Sequence, residues 1–210
     1  MAERYLSLQG SCITEKVIEK SRFITESRHV ESDEEAKAFV AELSKKYSDA
    51  THNCFAYISD ELGNNLRFSD DGEPQGTAGM PMLEVLRAQN LRQVAVVVTR
   101  YFGGIKLGAG GLVRAYSGSV ADNLCSAQKV LYEMCAENNY TVSYSEVDLS
   151  LRFFAENDCT VLNADYSDSV TFTVAVKARN EQAFVGAFQN FLNGRVKVER
   201  CKAYFFPFKI

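Results

Sequence analysis

Close-spaced metal ligands are what this sequence lacks most plainly. Its six cysteines are Cys12, Cys54, Cys125, Cys135, Cys159 and Cys201, no C-x-x-C pair occurs, and the only histidines are His29 and His52. A zinc centre wants paired thiolates or imidazoles. The expectation is therefore buried, reduced thiols, with neither metal nor other cofactor. Long apolar runs are also missing, since none approaches the ~18 residues needed to cross a bilayer. The opening residues, Met1-Ala2-Glu3-Arg4-Tyr5, lack the basic and apolar regions of a secretion signal. These absences point to a soluble, cytoplasmic protein without a membrane partner, in a compartment where disulfides are disfavoured. Nor is there a positive excess: the net charge is −4. Through Glu137 there are 15 Lys and Arg against 19 Asp and Glu, and 8 of each thereafter. That balance counts against a dedicated nucleic-acid binder. No Pro- or Ser-rich linker, repeat or low-complexity tract marks a domain boundary, so boundaries must come from patterning.

What is present suffices for real cores: 46% of the 210 residues are hydrophobic, a length that fits one large domain or two small ones. The last third reads most clearly. Strands are expected at 140–144, 161–166, 170–177 and 196–206. Helices fall between them, one carrying Val147, Leu151 and Phe154, the other Phe184, Phe188, Phe191 and Leu192. The order βαββαβ is the ferredoxin-like arrangement and sets a small second domain at 138–210. The first domain, 1–137, is also mixed. Strands are expected at 11–18 and 22–30, then a helix from the capping box Ser32-x-x-Glu35 with Phe39, Val40 and Leu43 on one face. A hairpin follows around Gly63-Asn64, then a helix from Pro81 to Gln89. Val94–Thr99 suits a strand buried on both faces. A helix rich in small residues, 112–127, and a strand at 129–136 complete it. The fold class is α+β.

Three segments could carry chemistry. The strongest is Thr99 to Arg114, read as strand, glycine-rich loop and helix start. Gly103, Gly104, Gly108, Gly110 and Gly111 imply positive φ or close approach of backbone to something. Free amides at a helix start favour anions, and Arg100, Lys106 and Arg114 could add charge, with no acid between Arg92 and Arg114. Neither a Walker A loop nor a dinucleotide fingerprint is present. The glycines could equally serve a tight turn and close helix packing. Tyr101 and Phe102 could stack on bases or plug the end of the core. The second segment is Ser69-Asp70-Asp71-Gly72-Glu73-Pro74. Its carboxylates could hold Mg²⁺ or Ca²⁺, yet the ligands of a calcium loop are absent and a solvated turn is expected. The third is Thr51-His52-Asn53-Cys54. Residues two apart on a strand share a face but stand roughly 6–7 Å apart, so a structural His52 is expected rather than an activated Cys54.

Three blocks carry a resemblance. They are His52-Asn53-Cys54-Phe55-Ala56-Tyr57, Ser69 through Pro81 (SDDGEPQGTAGMP), and Val96-Val97-Val98-Thr99-Arg100-Tyr101-Phe102-Gly103-Gly104-Ile105-Lys106-Leu107-Gly108 continuing through Gly110-Gly111-Leu112-Val113-Arg114-Ala115-Tyr116. With them the chain resembles the YigZ family, the bacterial relatives of the conserved domain of eukaryotic IMPACT. The resemblance implies a ribosomal-protein-type first domain with a left-handed βαβ crossover, like domain four of elongation factor G, and a second domain like that factor's domain five. It implies a non-catalytic binding protein linked to translation, with RNA, ribosome or a translation factor as partner. IMPACT relatives interfere with activation of a stress-responsive kinase, through a mechanism that also uses a further N-terminal domain. A peptidase activity has no ligand set or Ser/His/Asp grouping to support it. The alternatives are an enzyme acting on a phosphorylated small molecule, with Asp70, Asp71 or Glu73 on a metal, and a regulatory protein-binding module.

Overall fold

The computed structural model describes residues 4–209. The chain forms two compact units, one running to Leu131 and the other Tyr132–Phe208. The first holds β1 (Arg4–Leu8), β2 (Ser11–Ile18), β3 (Ser21–His29), α1 (Asp33–Lys46), β4 (His52–Ile58), β5 (Leu66–Ser69), α2 (Gly79–Ala88), β6 (Val94–Tyr101) and α3 (Gly108–Ser126). β7 (Lys129–Val142) begins in it and continues into the second unit, crossing the expected boundary at 137/138 without a linker. α4 (Val147–Glu156), β8 (Cys159–Tyr166), β9 (Val170–Lys177), α5 (Glu181–Phe191) and β10 (Lys197–Lys209) follow.

In the first unit the sheet order is β2-β3-β6-β4-β5, and each pairing is antiparallel. The centre belongs to β6 because its β-branched run has no polar face to show water: every residue from Val94 to Arg100 is buried. Strand alternation sends Val94, Val96 and Val98 to one core with Cys54, Ala56, Met82, Leu86, Leu112 and Tyr116. Ala95 and Val97 go to the other, under Phe39, Leu43 and Tyr57. Thus α1 covers one face, and α2 with α3 cover the opposite one. Ser32 caps α1 as expected, its Oγ accepting the Glu35 amide at 3.1 Å. α3 lies close to the sheet because its inner positions are small or reach inward. From there buried Asn123 donates to the backbone oxygens of Cys12 and Thr25 and accepts Ser27 Oγ at 2.6 Å.

The second unit orders its strands β10-β7-β9-β8, with β9 antiparallel to both neighbours. That is the ferredoxin-like sheet. One face packs on both helices through Tyr140, Phe154, Phe172, Phe184 and Phe188. The molecule is a two-domain α+β protein.

Four differences from the sequence reading stand out. β1 was not expected; its short run is tied down by backbone bonds from partners far along the chain, such as Arg92 N–H to Leu6 O. α2 starts at Gly79, before Pro81, because Asp70 supplies its N-terminal acceptor from outside the helix. α3 starts at Gly108, so Gly108, Gly110 and Gly111 sit in its first turn and not in a loop. The strands expected at 129–136 and 140–144 are one strand, since Glu137, Asn138 and Asn139 continue the ladder opposite Ala175, Val174 and Thr173.

Candidate functional site

The glycine-rich segment leaves the end of β6 between two structures far away in sequence. Gly103 rests on the β2–β3 turn: a Cβ there would stand 2.0 Å from the Lys20 carbonyl, so only glycine fits. The turn itself is tight, with Glu19 and Lys20 at φ 45° and 63°. The Gly103 amide donates to Ser21 Oγ at 3.2 Å, and the Phe102 amide to Thr51 Oγ1 at 3.0 Å. Gly104 and Gly108 take positive φ of 86° and 68° with nothing near the position of a Cβ. Their role is conformational and leaves the surface open. No side chain caps α3 and no acid stands in its first turn, so its first amides carry partial positive charge into this opening.

Arg100 is not part of that surface, contrary to the sequence reading. It is 4% exposed. Its guanidinium donates to Glu73 Oε1 at 2.7 Å and to Ser21 Oγ at 3.2 Å, and lies 5.4 Å from the ring centres of both Phe23 and Phe102. The alternation of β6 sends it inward, and burial demands the paired carboxylate. Tyr101, one residue on, takes the opposite face, where its hydroxyl donates to Asp49 Oδ1 at 2.8 Å. Phe102 remains 46% exposed, Ile105 37%. Lys106 and Arg114 are exposed and make no ion pair among the described residues. Both line a cavity of about 420 Å³ with Ile18, Glu19, Ile105 and Gly111. Lys20, also exposed, borders the same segment. Of the three expected cations, then, two share a cavity and the third is spent inside the fold. Glu19 and Lys20 escaped the sequence reading, because no local pattern announces a contact more than 80 residues away in the chain.

The acidic segment is a solvated turn only in part: Asp71 and Gly72 are exposed, whereas Glu73 is turned inward. Glu73 is 8% exposed. Its Oε1 also accepts the Tyr116 hydroxyl at 2.7 Å, and its Oε2 stands 3.8 Å from His52 Nε2. Asp70 accepts the amides of Gly76, Ala78 and Gly79 at 2.8–2.9 Å and so caps α2 from a distance. Burial pushes its carboxyl upward, but the three amides together outweigh this and hold it below the ordinary carboxylate range. Asp71 accepts the Asn53 amide at 2.6 Å, while its own carbonyl accepts His52 Nδ1–H at 2.7 Å. Among the described residues no cluster of His, Cys, Asp and Glu has the form of a metal site. Cys54 is fully buried and donates to the Asp70 carbonyl at 2.9 Å. Burial pushes its thiol far up, with the charges of Glu73, Asp71 and Asp70 adding to the effect, which disfavours the thiolate that nucleophilic attack needs. His52, Cys54, Asp70, Asp71, Glu73, Arg100 and Tyr116 form one internal polar network. It fixes the loop between β5 and α2, while Phe102, Ile105, Lys106 and Arg114 remain exposed.

Comparison with known proteins finds two family matches along the chain. Residues 19–124 match the Impact N-terminal domain, and residues 141–195 match a domain of unknown function, DUF1949. "IMPACT family member YvyE" of Bacillus subtilis is 38% identical over 203 residues, covering 95% of this chain and 92% of that protein. "IMPACT family member YigZ" of Escherichia coli is 36% identical over 183 residues, 86% of this chain and 90% of that one. Rabbit "Protein IMPACT" is 32% identical over 63% of this chain and 39% of its own length. A solved structure described as a crystal structure of a hypothetical protein superposes with a TM-score of 0.63 at 33% identity, covering 96% of this chain and 99% of that one. No helix among the described residues is long and apolar enough to cross a membrane. A match across both domains with relatives above 30% identity settles the kinship: the chain belongs to the IMPACT family, alongside YigZ and YvyE.

Proposed function

We propose that the protein is a translation-linked binding protein that contacts structured RNA through the surface built from Phe102 to Arg114 and the β2–β3 turn. The observation that carries this reading is the cationic opening beside α3, which Lys106 and Arg114 line, with Lys20 on the adjoining turn; all three are exposed and make no ion pair among the described residues. Phe102 supplies an exposed ring on the same segment, suited to stacking on a base. The uncapped amides of α3 suit a phosphate. The general tie to translation rests on kinship with eukaryotic IMPACT proteins. The network around Glu73 supports a scaffold role rather than catalysis, because its carboxylates are already taken up by internal donors.

Filter binding of ribosomal RNA at about 50 mM and about 200 mM salt tests the reading, since displaced counterions make such affinity fall steeply with salt. Lys20→Ala, Lys106→Ala and Arg114→Ala should each weaken binding by about 1–3 kcal/mol and lower the salt slope by about 1. Absence of any RNA affinity at low salt would overturn it. Retention of a protein partner after nuclease treatment would replace RNA with a translation factor as the ligand.

A further inference from the structure

We propose that the cavity beside α3 is a mononucleotide site, receiving one nucleotide unit with a terminal phosphate, either free or at the end of an RNA strand. The inference deepens the RNA reading of this surface and rests on it only for the second of those sources. The cavity's volume of about 420 Å³ falls within the roughly 300–1,000 Å³ of small-ligand pockets. Its lining is of two kinds. Ile18 and Ile105 give it apolar walls, while Lys106 and Arg114 bring charge and Glu19 brings an acceptor.

The two cations flank the start of α3 in sequence. Arg114 runs back along α3, its Nη1 3.7 Å from where a Cβ on Gly110 would stand, so the guanidinium lies over the first turn of the helix. Lys106 precedes that turn directly. A simple anion would leave the isoleucine walls unused. A purely apolar ligand would strip water from both cations and from Glu19 without replacing it. A nucleotide meets each demand: phosphate on the cations, a flat base on the isoleucines, and an amino or hydroxyl donor for Glu19. Arg114 presents parallel donors suited to phosphate oxygens, and a terminal phosphate offers more charge and more free oxygens than a diester in mid-strand.

The test is fluorescence anisotropy of short single-stranded RNA of one sequence, ending in a 5′-phosphate, a 3′-phosphate or hydroxyls only. Calorimetry with nucleoside monophosphates, the matching nucleosides and inorganic phosphate accompanies it. A phosphate-ended strand or a monophosphate should bind about tenfold or more tightly than its phosphate-free counterpart, the worth of one charge-assisted hydrogen bond. Lys106→Gln with Arg114→Gln should abolish that preference. Both side chains are exposed, and an unchanged circular dichroism spectrum shows that the double variant folds. Monophosphate binding without RNA binding keeps the site, names free nucleotide as its ligand, and removes the RNA reading of the surface. RNA binding indifferent to the end group, with no affinity for monophosphates, overturns the site and leaves the RNA reading standing. Inorganic phosphate binding as tightly as the monophosphates also overturns it, because the apolar walls would then contribute nothing.

Discussion

Glu73 is the side chain on which most of the local chemistry converges. Its carboxylate balances the buried Arg100 guanidinium, and the two side chains are 4% and 5% exposed. Removing one partner of such a pair strands the other charge in the interior. Glu73→Gln should therefore lower unfolding free energy by about 3–5 kcal/mol, measured by urea titration. Adding Arg100→Met should recover part of that loss, because no unpaired charge then remains. A single variant as stable as the parent would show that Arg100 finds other company. Asp70 offers a contrast, being satisfied by amides and not by a cation. Its carboxyl is held low in the folded state, so its contribution is present above the unfolded pKa and is lost as pH falls through the folded one. Asp70→Asn should cost about 1–2 kcal/mol at neutral pH, as for loss of a helix cap. The parent and variant stability curves should converge in acid, below the ordinary carboxylate range.

At the scale of elements, glycine spacing alone did not separate structural glycines from open ones. Three-dimensional context does. Gly79 begins α2 directly on β5, where a Cβ would stand 2.7 Å from the Ser69 carbonyl, and Gly103 is as tightly placed on the Lys20 backbone. Gly79→Ala and Gly103→Ala should each destabilise by about 1–3 kcal/mol through overpacking. Gly110→Ala should stabilise by about 0.5–1 kcal/mol, since it is helical, has ordinary φ and meets nothing closer than 3.7 Å. Thermal unfolding of the three variants checks the order. The elements themselves were largely legible, because alternation in Val170–Lys177 and the buried run of β6 are properties of contiguous residues. What escaped were features set by partners far along the chain. A helix start supplied by Asp70 and a guanidinium claimed by Glu73 are examples. Local charge counting placed Arg100 with Lys106 and Arg114, while strand parity, once β6 was known to be central, sends it to the core.

At the scale of the whole molecule, the two domains have separate cores and share β7. The second core gathers Tyr140, Phe153, Phe154, Phe172, Phe184 and Phe188, several of them edge to face at 5.2–5.5 Å. Each such side chain is worth about 1.5–3 kcal/mol of burial, offsetting the marginal size of so short a segment. A fragment of residues 129–209 should accordingly fold alone, giving a dispersed amide NMR spectrum and cooperative melting. A collapsed spectrum with strong dye binding would mean that β7 needs the first domain to hold it straight.

The placement of the Cys54 thiol has a practical consequence. It is sealed beneath the Asp70 carbonyl and kept protonated, so an alkylating reagent can reach it only when the loop above lifts. Cys125 and Cys201, already at the surface, mark the unhindered rate in the same sample. Peptide-resolved labelling of the three thus times the opening of the acidic loop against an internal clock, with no probe engineered into the chain.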